Sequence, residues 1–126
     1  MRELKVRAWY KPYKQMCNVS MLQFDYDGTI CAAVIIEKPF NDQRLAKIDD
    51  LIIEQDTGLK DKNGKEIYEG DILIDDTGEP IEYWVVKFSE GGFIGECAGV
   101  VEPLFELTQL EVAGNIHENS ELVEEK

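Results

Sequence analysis

The segment Thr57-Gly58-Leu59-Lys60-Asp61-Lys62-Asn63-Gly64-Lys65-Glu66-Ile67-Tyr68-Glu69-Gly70-Asp71-Ile72-Leu73 has to reverse direction twice, and that governs what the chain around it can become. Asn63-Gly64 lies between two strand-like arms, and both residues tolerate positive φ, so a β-hairpin is expected. A two-residue Asn-Gly loop would set Asp61 opposite Glu66, where like charges repel. A type I turn over Asp61-Lys62-Asn63-Gly64, with Gly64 left-handed and forming a bulge, removes the conflict. It pairs Asp61 with Lys65, Lys60 with Glu66 and Leu59 with Ile67. Each such pair contributes about 0.2–1 kcal/mol, so the bulged register is the expected one. Glu69-Gly70-Asp71 makes the second turn, with Gly70 supplying positive φ. Ile72-Leu73-Ile74 then leaves as a new strand. Two reversals this close pin the centre of a small, strongly bent sheet.

Upstream, Leu4, Val6 and Ala8 alternate with Lys5 and Arg7, the period of a half-buried strand. Lys11-Pro12-Tyr13-Lys14 is a turn and Met16 to Val19 the returning arm. Leu22, Phe24 and Tyr26 alternate with polar residues, and Asp27-Gly28 signals another turn. Ile30 to Ile36 reads as a strand apolar on both faces, so it is either central in a sheet or covered by another subunit. Asn41 or Asp42 is expected to cap a short helix over residues 43–48. Leu51-Ile52-Ile53 is a short strand entering the central segment.

Downstream, Ile81 to Phe88 is a strand with Ile81, Tyr83 and Val85 on one side and Trp84, Val86 and Phe88 on the other. Ser89-Glu90-Gly91-Gly92 turns it into Phe93 to Cys97. Pro103 restricts its neighbourhood to an edge or a turn. Gly114 marks a bend after Val112. Asn119 or Ser120 is expected to cap a final helical turn through Glu121, Leu122 and Val123, before a frayed tail. Short strands cut by glycine turns over residues 51–116 suit a small barrel or sandwich, without choosing between SH3-like and OB-like forms.

The central segment resembles the signature of the YopX family of phage and prophage proteins. The opening Met1-Arg2-Glu3-Leu4-Lys5-Val6-Arg7-Ala8-Trp9 is similar to the family's start, and Val112-Ala113-Gly114-Asn115-Ile116-His117-Glu118-Asn119 with Glu121-Leu122 is similar to its end. His117 and Ser120 stand where Tyr and Pro are expected. The resemblance implies an SH3-like β-barrel in the C-terminal part, a homo-oligomer and no known activity. The expected fold is therefore mainly β with little helix: an N-terminal β-rich region over residues 1–50, and an SH3-like barrel over residues 51–126.

The 126 residues carry a net charge of −13, and the distribution is lopsided. Residues 1–63 hold ten Lys+Arg and ten Asp+Glu, whereas residues 64–126 hold three and sixteen, so the whole excess lies in the second half. Such a field repels nucleic acid and attracts basic partners. Lys5, Arg7, Lys11 and Lys14 do lie among Trp9, Tyr10 and Tyr13, a composition able to track a backbone and stack bases. The total charge opposes that role, so nucleic acid is not the expected partner. No apolar run reaches the ~18–20 residues needed to cross a bilayer, and no signal-peptide core is present, so the expected location is the cytoplasm.

Cys17, Cys31 and Cys97 are odd in number and lack metal-ligand spacing, so buried thiols are expected rather than a disulfide framework. No metal or other cofactor is expected. The lone His117 has no Gly-x-Ser-x-Gly elbow to serve, and the glycines of the central segment lack a phosphate-loop ending, so no enzyme is expected. Turn chemistry accounts for Thr57, Gly58, Leu59, Asp61, Asn63, Gly64, Ile67, Tyr68, Gly70 and Asp71 without a ligand. Trp9, Tyr68 and Trp84 are the candidate interaction surface, the last two as aromatics of a peptide groove. The expected function is that of a self-assembling accessory protein acting by protein contacts. An acidic decoy, imitating nucleic acid to occupy a basic host or phage protein, is the alternative.

Overall fold

The structure, a computed structural model, describes residues 5–124; the predicted strand start at Leu4 and the Glu125-Lys126 end lie outside them. The chain divides into two compact units between Gln55 and Asp56, where the sequence placed a boundary near residue 50. Both are antiparallel β, linked by short turns and 3-10 segments, and no helix is long and apolar enough to cross a membrane.

The first unit holds β1 (Val6–Tyr10), β2 (Gln15–Phe24), β3 (Ile30–Glu37), β4 (Asp42–Lys47) and the first half of β5 (Leu51–Lys60), in the order β4-β3-β2-β1-β5. The two short strands expected between Met16 and Tyr26 are one long strand, with a register shift between Val19 and Met21. Asp25 to Thr29 then closes by the turn predicted for the central segment. Gly28 N–H donates to Asp25 O, Asp25 N–H donates to Thr29 O, and Gly28 takes φ 86°.

β3 is interior, flanked by β2 and β4, which pairs the edges of the Ile30–Ile36 run within its own sheet. Ala33 and Ile35 face a core with Ala8, Tyr10, Cys17, Ala46 and Leu51. Arg44 caps one side of this core over the Tyr10 and Tyr13 rings and is paired with Glu37. The helix expected over residues 43–48 does not form. Asn41 takes φ 58° in the turn, and residues 42–47 pair with β3 as an edge strand. Without that strand the backbone groups on one side of β3 would have no partners, and that need overrides local helix propensity.

The second unit holds the rest of β5, β6 (Glu66–Tyr68), β7 (Asp71–Asp75), β8 (Glu82–Ser89), β9 (Gly92–Cys97), β10 (Val100–Pro103) and β11 (Glu111–Asn115). β5 pairs with β6, and the other five form a sheet ordered β10-β9-β8-β7-β11. This sheet is open, so the barrel implied by the resemblance is not closed. The ladder ends at β10, where Pro103 lacks an N–H and the chain enters a 3-10 turn at Leu104–Glu106. Leu104, Leu107 and Leu110 instead pack on Ile67, Leu73, Trp84 and Val86 to complete the core. The hairpins β8–β9 and β9–β10 turn on Glu90-Gly91 and Ala98-Gly99, all at positive φ, as type I′ geometry requires. At the C-terminal end a 3-10 turn forms over Ser120–Leu122, but without the expected side-chain cap.

Candidate functional site

The central segment forms as a bulged hairpin. Gly64 N–H donates to Asp61 O at 3.0 Å, Asp61 N–H donates to Lys65 O at 2.8 Å, Gly64 takes φ 81° and Lys60 faces Glu66. The Leu59–Ile67 pair is not made, because the register shifts between Asp56 and Lys60. Thr57, Gly58 and Leu59 bulge there. Thr57 Oγ1 donates to Ile67 O at 2.7 Å and accepts from Leu59 N–H, while Gly58, at φ 84°, donates its N–H to Asp56 Oδ1.

Asp61 is the hub. Its buried carboxylate accepts from Asn63 N–H and Lys65 N–H through Oδ1, at 2.8 and 2.9 Å, and from Val112 N–H of β11 through Oδ2, at 3.0 Å. Burial pushes its pKa up, but the N–H groups of Val112, Lys65 and Asn63 and the Lys65 charge outweigh that and hold it below the usual carboxylate value. Lys62 N–H to Leu110 O and Asn63 Nδ2 to Glu111 Oε1 fasten the same hairpin to β11. At the second turn Asp71, buried, accepts from Tyr68 N–H, and Gly70 bonds Val86 and Ile116 through its backbone. Ile67 is a core residue. Thr57, Asp61 and Asp71 thus spend side-chain oxygens on backbone groups, the work of a structural turn.

The three aromatic candidates separate. Trp84 is 7% exposed, on the face of β8 that packs inward across from Leu73 and against Gly95. It cannot be a surface contact, and its indole N–H meets no acceptor among the described residues. Tyr68 is half-buried in β6. Trp9 is half-buried on β1, between Met16 and Ile52 and on the face opposite the core of its unit.

Two apolar surfaces stand out, and the first includes Val34 of the Ile30–Ile36 run. On the outer face of the first unit, Met21, Val34 and Leu45 are direct cross-strand neighbours on β2, β3 and β4. Met21 is 53% and Leu45 63% exposed, on either side of half-buried Val34, so the row is apolar and open at both ends. In the second unit a groove of about 540 Å³ is lined by Leu59, Phe93, Ile94, Val101, Pro103 and Phe105, with the Glu90-Gly91 turn at one end. Period-two patterning places such residues on a strand face, but it does not bring residues 59, 93 and 105 together.

The Cys17, Cys31 and Cys97 thiols are all pushed up, chiefly by desolvation and with help from nearby carboxylates, away from the reactive thiolate. Among the described residues no three His, Cys, Asp or Glu side chains are grouped to hold a metal.

The crystal structure of protein EF1440 from Enterococcus faecalis is similar to this chain at 28% sequence identity. The match has a TM-score of 0.73 and covers 98% of this chain and 100% of that one. No curated protein matches. The family model described as YopX protein matches residues 5–124, the whole described span, and the chain belongs to the YopX family.

Proposed function

We propose that the chain is a non-enzymatic accessory protein of phage or prophage origin, acting in the bacterial cytoplasm by self-assembly and protein contacts. The observation that carries this reading is the Met21–Val34–Leu45 row. Scattered exposed apolar residues are ordinary, but a contiguous row on a sheet face marks a contact surface. The row ends on β4, an edge strand with backbone groups available for pairing. A second copy adding its own β4 antiparallel about a two-fold axis extends the sheet and continues the row, with Leu45 facing its equivalent. The SH3-like description fits the second unit as an open meander, β7 to β10, whose last strand β11 returns to β7 after a 3-10 turn.

Light scattering on the full chain tests the reading. A stable oligomer converted to monomer by Leu45→Lys, with unchanged circular dichroism, is expected. A wild-type protein that stays monomeric at high concentration would sink the assembly claim. The acidic decoy remains the second reading, favoured by one observation: residues 64–126 carry three basic and sixteen acidic side chains. It predicts capture of a basic protein that is lost in about 0.5 M salt, where surface charges are screened.

A further inference from the structure

We infer that the Phe93–Phe105 groove of the second unit is a docking site for a proline-rich segment in the polyproline-II conformation, carrying Lys or Arg beside its prolines. This groove belongs to the second unit and the self-assembly row to the first. Three features fix the occupant.

The first is the edge. β10 pairs with β9 through a two-residue hairpin, so Val100 and Glu102 spend their backbone groups on Cys97 and Gly95. Val101 turns its N–H outward, but the next outward position is Pro103, which has no N–H. A strand added at this edge finds one donor in four residues, too few to hold it by a ladder. The groove must therefore recognise a chain that needs no ladder, and polyproline II is the extended form without internal or sheet hydrogen bonds.

The second is the lining. Phe105 is 67% exposed, and it lines the groove with the apolar side chains of Phe93, Val101 and Pro103. Proline rings pack against such surfaces, and a polyproline-II segment has little conformational entropy left to lose.

The third is charge. Glu90 is the one charged residue of the lining, and Glu106, exposed, follows Phe105. Lys87, across from Ile94, is held by Glu96 at 3.0 Å, and Lys60 stands opposite Glu66. The groove therefore presents net negative charge, which a basic flank completes.

The test pans a randomised short-peptide library on the full chain and synthesises the most enriched peptide as the probe. Proline-rich peptides with Lys or Arg are expected. Phe105→Ala is expected to weaken the probe at least about tenfold, as loss of a central aromatic contact does. Glu90→Asn, which suits the positive φ there, is expected to weaken it about threefold and flatten its salt dependence. Should Phe105→Ala fail to fold, Val101→Asp and amide shift mapping on the wild type decide. Shifts confined to Gly91–Ile94 and Val101–Phe105 support the site, and shifts elsewhere overturn it. No enrichment, enriched peptides lacking proline or basic residues, or equal binding to the folded Phe105→Ala variant overturns the proposal.

Discussion

Asp61 should be the most sensitive turn residue in the second unit, and it can be probed in two steps. Asp61→Asn keeps one oxygen for Asn63 N–H and Lys65 N–H but turns an amide NH2 toward Val112 N–H. One charge-assisted bond is lost and two donors face each other, a cost of about 2–3 kcal/mol. Asp61→Ala strands all three N–H groups in a buried site. At about 1–3 kcal/mol for each donor that stays dry, with water reaching some of them, the cost is roughly 3–6 kcal/mol. That is a large share of the ~5–15 kcal/mol that holds a domain of ordinary stability. Urea unfolding at neutral pH measures it, and Trp9→Phe in the background leaves buried Trp84 as the sole tryptophan reporter of the second unit. The pH dependence has a defined sign. The folded pKa of Asp61 is lowered, so the unfolded state takes up its proton first as pH falls. The stabilisation is complete well above the unfolded carboxylate value of about 3.9 and is lost as pH drops through the folded value. The gap between wild type and Asp61→Asn should therefore be widest near neutrality and close below about pH 4. A gap under about 0.5 kcal/mol at neutral pH, or one that stays constant into acid, would refute the hub assignment.

Other substitutions probe other contacts. A Cβ at Gly114 would overlap the Asn119 side chain, whose Oδ1 accepts from Asn115 N–H, so Gly114→Ala should cost about 2 kcal/mol in thermal or urea unfolding. Glu54→Gln weakens the buried ion pair with Arg7 at 3.0 Å and should cost about 2–3 kcal/mol, read as faster amide exchange in β1 and β5. Trp84→Phe trades lost packing against removal of an unpaired buried N–H, and should change stability by less than about 1.5 kcal/mol where Trp84→Ala costs about 3–5.

The central hairpin was legible because its determinants are local. Asp61 at the first turn position, Gly64 at the left-handed one and the Lys60–Glu66 charges all lie within one turn, and they outvoted the shorter Asn-Gly loop. What Asp61 does beyond the turn was not legible, since its third donor, Val112, comes from 51 positions away. The Thr57 bulge was hidden for a related reason, a side chain replacing a backbone partner. Residues 43–48 misled in the opposite direction: Gln, Arg, Leu, Ala and Lys are good helix formers behind a capping signal, and only the needs of β3 reveal a strand. Trp84 shows the limit of period-two reading. Alternation separated Trp84, Val86 and Phe88 from Tyr83 and Val85, but it could not say which side faced inward. The groove combines β5, β9, β10 and a 3-10 turn, so no local pattern could announce it.

The charge asymmetry gives a way to separate the two kinds of contact. Residues 1–63 are balanced, so a contact made through β3 and β4 carries little net electrostatic cost of its own. Every copy also brings the −13 of residues 64–126, and gathering copies concentrates it. Added salt screens that repulsion, with a Debye length of about 10 Å at 0.1 M and 3 Å at 1 M, so self-assembly should tighten as salt rises. Docking of a basic segment draws on the same charge with the opposite sign and should loosen over the same range. A salt series followed in parallel by light scattering and by peptide titration should therefore give slopes of opposite sign. If both weaken with salt, assembly depends on charge pairs between copies rather than on the Met21–Val34–Leu45 row. If neither moves, the acidic half takes no part in either contact, and the basic flank demanded of the groove's occupant is wrong.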